Sequence, residues 1–113
     1  DLALLKGDFR PETVFPLSNN RPELLQDIYV AGYPFGNKVS TSVKVTKGII
    51  SSLTGIGNNF SNIQIDAALQ SGNSGGPILN KDNKLIGVAL EGAEKGSGSN
   101  GCLQLDEIVK FIN

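Results

Sequence analysis

Short apolar runs alternate along this chain with polar segments that contain glycine or proline, a pattern typical of antiparallel β structure. Strands are predicted at residues 27–33, 62–67, 77–79, 85–90 and 100–105, and residues 38–53 predict one long strand or two, bent at Gly48. A short terminal helix is predicted after Asp106 as its N-cap, with its apolar residues Ile108, Val109, Phe111 and Ile112 packed inward. Six or so short strands followed by one helix predict an all-β antiparallel barrel.

The first residues form a different pattern. Residues 2–5 are apolar on both faces of a strand, which predicts a strand covered on two sides. The sequence contains no methionine, so we expect that it begins inside a longer protein. Glycine and proline then interrupt any regular element up to Pro22, which predicts a connecting segment. The chain is therefore divided into residues 1–25 and a barrel at residues 26–113.

Composition narrows the function classes. The 113 residues, 39% of them hydrophobic, suffice for one domain. A net charge of −1 without a dense run of lysine and arginine gives no reason to expect a nucleic-acid partner. No apolar run approaches the roughly 20 residues that span a bilayer, so no membrane segment is predicted. With no histidine and one cysteine, Cys102, neither a metal site nor an intrachain disulfide is expected, and no cofactor is predicted.

The candidate chemistry lies in the segment Gly72-Asn73-Ser74-Gly75-Gly76-Pro77. Glycines on both sides of Ser74 allow backbone turns that other residues avoid and keep side chains away from its hydroxyl. The N–H groups of Gly72 and Ser74 can then point into one concavity and bind an oxygen that becomes negative during acyl transfer. The alternative is a glycine-rich turn that the serine merely closes. A second glycine motif, residues 96–101, has the letters of a dinucleotide site but lacks the flanking strand and helix.

Three segments carry a family resemblance. Residues 1–6, the segment Gly48-Ile49-Ile50-Ser51, and residues 64–77 resemble the trypsin-like serine peptidases, most closely the bacterial HtrA/Do branch. The resemblance implies the second six-stranded barrel of a chymotrypsin fold, preceded within residues 1–25 by the last strand of the first barrel and a linker. It also implies that Ser74 is the nucleophile, that the N–H groups of Gly72 and Ser74 form the oxyanion hole, and that Asp1 is the triad carboxylate. The triad histidine would precede Asp1, in the order His, Asp, Ser.

The same resemblance implies a substrate pocket and a setting. The pocket floor would be Ala68, and its walls would include Val88, Ala89, Leu90 and Gly101. These residues place no carboxylate at the floor, so cleavage after small or medium aliphatic residues of unfolded proteins is expected, while a structural role is expected for Asp66. An extracytoplasmic location is favoured by the resemblance alone. Asn73 departs from the aspartate that activates the digestive enzymes, which predicts another route of activation.

Three functions remain open at this level. The first is an HtrA-like serine endopeptidase that acts in the full-length protein, with the present chain inactive by itself because it contains no histidine. The second is a pseudo-peptidase that binds peptides without cleaving them. The third is a plain β-barrel interaction module. Self-association of this chain through exposed apolar surface at residues 2–5, or homo-oligomerisation of the full-length protein, is also expected.

Overall fold

Six strands and one helix form the framework in the computed structural model, which describes residues 2–33, 41–90 and 100–112. The elements are β1 (Asp27–Gly32), β2 (Lys44–Ser52), β3 (Asn62–Ile65), β4 (Pro77–Leu79), β5 (Leu85–Leu90), β6 (Asn100–Gln104) and α1 (Leu105–Ile112), with a 3₁₀ turn at Ile56–Asn58. The predicted positions of five strands are therefore confirmed to within two residues. The predicted turn at residues 34–36, the predicted loop at residues 91–99, and residues 38–40 of the long strand lie outside the described residues.

The strands close into a barrel in the order β1-β2-β3-β6-β5-β4. Each of the six pairings between these strands is antiparallel, and the pairing of β1 with β4 completes the ring. Closure gives every strand of the ring a hydrogen-bonding neighbour on both sides, which removes open sheet edges. The predicted six-stranded antiparallel barrel is confirmed.

Isoleucines fill the interior of the barrel. The largest fully buried side chains are those of Ile28, Val30, Ile50, Ile63, Ile65, Ile78 and Ile86. Within β1 and β3 they stand two residues apart, because successive side chains of a strand point to opposite faces. Each buried aliphatic side chain stabilises the fold by about 1.5–3 kcal/mol. The alternation of apolar residues thus places one face of these strands inside the barrel.

The turn between β4 and β5 forms where the polar sequence predicts it. Asn80 organises this turn, since its Oδ1 accepts hydrogen bonds from the N–H groups of Asp82 (2.9 Å) and Lys84 (3.0 Å). Asn83 adopts a φ of 59°, a conformation that asparagine tolerates better than most residues. The turn reverses the chain at the end of β4 that is remote from Ser74, since Ser74 precedes this strand.

Gly48 lies inside a continuous strand, so the predicted bend at this residue is wrong. It pairs with Ile28 in the middle of β2. A Cβ on Gly48 would contact the Asp66 carboxylate and lie 2.5 Å from the backbone nitrogen of Ala67. Glycine is required here because the chain that leaves β3 passes directly over β2, and the irregularity in pairing falls later, between Ile50 and Ser52.

Replacing Gly48 with alanine is expected to lower the free energy of unfolding by about 1–3 kcal/mol, the usual cost of overpacking. The added methyl group would collide with backbone atoms, which cannot rotate away. Thermal unfolding followed by circular dichroism measures the change. Gly7→Ala is the matched control, since the three atoms nearest to its Cβ would belong to the ring of Phe9, which is 68% exposed. Equal melting temperatures for the two variants would contradict this account of Gly48.

The segment before the barrel differs from the prediction. Residues 2–16 contain no regular secondary structure, so the strand predicted at residues 2–5 is not formed. A strand requires a hydrogen-bonded neighbour, and no strand within the described residues pairs with residues 2–5. The side chains of Leu4 and Leu5 are accordingly 55% and 76% exposed. The segment joins the fold at Leu17, which forms a parallel bridge to Leu85.

The terminal helix begins one residue before Asp106, so the predicted N-cap at Asp106 is wrong and this residue lies in the first turn. The helix contacts β5 and β6. Ile108 and Val109 are partly buried as expected, whereas Ile112 is 53% exposed. The side chain of Phe111 lies outside the description. Among the described residues no helix is long and apolar enough to cross a bilayer.

Candidate active site

Ser74 lies in the loop that connects β3 to β4, on the side of the barrel where β1 ends. Its side chain is exposed to solvent. Gly72 and Gly75, on either side of it, adopt φ angles of 100° and 83°. Residues with a Cβ rarely adopt these angles, so the two glycines are what allow the chain to turn outward and back around the serine.

Four backbone hydrogen bonds hold this loop. Within the loop, the N–H of Asn73 donates to Gln70 O (3.0 Å) and the N–H of Gly76 donates to Asn73 O (2.9 Å). The other two connect the loop to β5, from Gly75 N–H to Ala89 O (2.8 Å) and from Ala89 N–H to Gly76 O (2.9 Å). The loop is therefore anchored on the strand beside it, and its serine is presented by a fixed backbone.

Several N–H groups of this loop have no acceptor in the described part of the protein, those of Gln70 and Ser71 among them, and two of these groups lie on either side of Asn73. Within the part of the chain that the structure describes, the N–H groups of Gly72 and Ser74 donate no hydrogen bond to the protein. Both residues are exposed to solvent. Two free N–H groups beside a serine hydroxyl can stabilise the negative oxygen of a tetrahedral intermediate.

Asn73, between these two donors, is 5% exposed. Its side chain packs against the end of β1, where a Cβ on Gly32 would lie 2.5 Å from Asn73 Oδ1. Gly76 approaches the same strand end, since its Cβ would lie 2.7 Å from Ala31 O. Local sequence does not predict this contact, because Gly32 and Asn73 are far apart in the chain. The only local signal was a glycine in an otherwise β-favouring run.

Asp66, the one carboxylate close in sequence to the predicted pocket floor, is engaged elsewhere. Its Oδ1 accepts a hydrogen bond of 2.6 Å from the N–H of Ile49, and its own N–H donates to Ile49 O (3.2 Å). These bonds attach the segment after β3 to β2. The structural role expected for Asp66 is therefore observed.

The residues predicted to line the substrate pocket differ in their burial and in their contacts. Ala68 is exposed, and its carbonyl accepts a hydrogen bond from Thr46 Oγ1 (3.1 Å). On β5, Val88 and Leu90 are partly buried, whereas the Ala89 side chain is fully buried in the core. Ala89 thus contacts the serine loop through its backbone. Gly101 of β6 pairs with Leu90.

Two further parts of the predicted site lie outside the description. Asp1, predicted as the triad carboxylate, is outside the described residues, as are residues 96–99 of the second glycine motif. No group of three or more potential metal ligands occurs among the residues that the structure describes. The described site therefore consists of Ser74, its two free donors and the contacts that hold them.

Comparison with known proteins adds independent findings. A family model described as "Trypsin-like peptidase domain" matches residues 1–88. Putative protease Do-like 13 of Arabidopsis thaliana is 36% identical, in an alignment covering 99% of this chain and 24% of that protein. The probable periplasmic serine endoprotease DegP-like of Rickettsia conorii (strain ATCC VR-613 / Malish 7) is 44% identical, covering 78% of this chain and 18% of that protein.

A solved structure is similar over most of the chain. The serine endoprotease from Yersinia pestis superposes with a TM-score of 0.72 at 29% sequence identity, covering 88% of this chain and 34% of that one. The present chain thus spans about a quarter or less of these two curated relatives and a third of the solved structure.

Proposed function

Because this chain belongs to the HtrA-type branch of the trypsin-like peptidases, we propose that it carries the nucleophile and oxyanion hole of a serine endopeptidase. The observation that carries the proposal is an exposed Ser74 flanked by two N–H groups that bond to no other described part of the protein. The full-length protein would hydrolyse peptide bonds through an acyl-enzyme intermediate.

Each residue of the proposed site has its own role in the reaction. Ser74 Oγ attacks the scissile carbonyl carbon and forms an ester bond, while a histidine located before Asp1 in the full-length protein accepts the hydroxyl proton and passes it to the departing amine. Asp1 orients that histidine. The N–H groups of Gly72 and Ser74 receive the oxygen as it becomes negative, and each donor lowers the barrier by about 3 kcal/mol. Water then cleaves the ester and restores Ser74.

The proposal extends to substrates and assembly. Peptides or unfolded proteins are the substrates, as suits relatives named proteases. Self-association of this chain through Leu4 and Leu5, which are both exposed, stays a prediction, as does a homo-oligomer of the full-length protein.

Substitution of the nucleophile tests the proposal. In the full-length protein, Ser74→Ala is expected to abolish labelling by a fluorophosphonate probe and to reduce peptide hydrolysis by about 10⁶-fold, because no other group forms the acyl ester. Labelling read on a gel and hydrolysis of a fluorogenic peptide measure the two effects.

Ser71→Ala is the matched control, since Ser71 is also exposed and lies three residues away. It is expected to keep both activities. Persistent labelling of Ser74→Ala would show that another residue is the nucleophile. Absence of labelling in the unmodified full-length protein, with peptide binding retained, would favour the pseudo-peptidase instead.

A further inference from the structure

Asn73 is held in place on two sides. Its side chain is buried against Gly32 of β1, so closely that a Cβ on Gly32 would lie 2.5 Å from Oδ1 and 3.4 Å from Asn73 Cα. Its backbone is bonded in both directions, to Gln70 O through its N–H and to Gly76 N–H through its carbonyl. Packing on β1 and bonding within the loop therefore fix the same residue.

The orientation of the Ser74 N–H follows from this arrangement. The carbonyl of Asn73 and the N–H of Ser74 belong to one planar trans peptide unit, in which they point in opposite directions. Since the Asn73 carbonyl points toward Gly76 N–H (2.9 Å), the Ser74 N–H must point away from Gly76. A rotation of Asn73 would turn this donor and displace the hydroxyl-bearing residue that follows.

We infer that Asn73, seated on Gly32, is a positioning residue that sets the direction of the Ser74 N–H and the location of the Ser74 hydroxyl. The inference rests on the proposed function, in which these two groups act on the substrate. Gly32 acts through Asn73, because its missing side chain leaves the space that the Asn73 amide occupies. The serine loop thus packs on the end of β1 through Asn73.

Gly32→Ala in the full-length protein tests the inference. To restore an ordinary contact near 3.4 Å from 2.5 Å, Asn73 Oδ1 must move by about 1 Å. Because the Asn73 side chain is only 5% exposed, this movement is expected to pass to the backbone of the loop. A displacement of about 1 Å costs on the order of 10²-fold in rate, so kcat is expected to fall about 100-fold while KM changes less than about threefold. Hydrolysis of a fluorogenic peptide over a range of concentrations separates the two constants.

The double variant supplies the decisive comparison. The methyl group of Gly32→Ala would collide with the side-chain amide of Asn73, and Asn73→Ala removes that amide. In the Asn73→Ala background, Gly32→Ala should therefore have no further effect on kcat. We expect Asn73→Ala to lower kcat about tenfold and the double variant to match it. Gly55→Ala is the control for crowding elsewhere, since its Cβ would lie 2.8 Å from the Asn62 Cβ. This control should lose stability and keep kcat. A fall in kcat of the double variant equal to the product of the two single falls would overturn the inference.

A second measurement decides the case if Gly32→Ala does not fold. Hydrogen exchange of the amides of Gly75 and Gly76, which are bonded to Ala89 O and Asn73 O, is expected to accelerate at least tenfold in Asn73→Ala without a matching change in β2 or β3. Unchanged exchange at both amides would overturn the inference. Because exchange requires no catalysis, an inactive unmodified protein would defeat the proposed function while leaving this readout to judge the role of Asn73.

Discussion

The 113-residue chain by itself is expected to react with a fluorophosphonate probe about 10⁶-fold more slowly than the full-length protein, because loss of the base from a related triad costs that factor. The chain contains no histidine, so no imidazole can deprotonate Ser74. The free N–H groups of Gly72 and Ser74 do not compensate, since they stabilise the product of an attack that the neutral hydroxyl makes only slowly.

The rate of labelling with time, at equal protein concentrations, measures this difference. Ser74→Ala in the same chain supplies the background, and circular dichroism with a β spectrum shows that the chain is folded during the assay. Labelling of the folded chain at a rate comparable to that of the full-length protein would contradict the need for an external base.

The strands that the sequence predicts best are those bounded by strong local signals. Leu85–Leu90 matches the prediction residue for residue because the polar turn at residues 81–84 marks its start. Pro77–Leu79 follows directly from the glycine-rich loop and matches equally well. Within β1 and β3 the buried side chains alternate along the strand, since successive residues point to opposite faces.

Apart from the helix start at Asp106, the errors occur where structure depends on contacts between distant segments. Residues 2–5 have the apolar pattern of a strand but form none, because pairing requires a neighbour that a local pattern cannot supply. Gly48 has the composition of a bend, yet it lies in a regular strand under the segment at Asp66 and Ala67. Local sequence identifies the glycine but not which of two reasons requires it.

The candidate site likewise has some features that local sequence predicts and others that it does not. The exposure of Ser74 and the left-handed turns at Gly72 and Gly75 follow from neighbouring residues, and the sequence predicts them. The contacts that support the loop from below do not follow from neighbouring residues, and the sequence does not predict them. They are close approaches between the loop and the first two strands of the barrel, at Gly32 and Gly48, where a side chain would separate them.

Through these close approaches the barrel holds the serine loop at several points. The segment after β3 is bonded to β2 at Asp66 and packed on β1 at Asn73, while Gly75 bonds to β5. Three strands therefore hold one loop. A loop held at several points on a rigid barrel keeps its reactive groups within the narrow range that catalysis requires.

The second large effect concerns specificity: the full-length protein is expected to cleave after small or medium aliphatic residues and to disfavour lysine and arginine by roughly 10²–10⁴ in kcat/KM. The expectation depends on Ala68 as the floor of the pocket. Ala68 is exposed in this structure, so the cost applies where a bound substrate covers it. A cationic side chain buried there by the substrate would lack a partner, at a cost of about 3–5 kcal/mol. Asp66 is the nearest carboxylate in sequence, and its Oδ1 is bonded to the N–H of Ile49 on β2.

Profiling on a peptide library measures the preference, and Ala68→Asp is the matched variant. The new carboxylate would stand at the exposed position of Ala68, and it is expected to raise cleavage after lysine and arginine relative to aliphatic residues by at least tenfold. Asp66→Asn serves as the control and should leave the aliphatic preference intact while lowering stability. Predominant cleavage after lysine or arginine by the unmodified protein, lost in Asp66→Asn, would instead assign the specificity to Asp66.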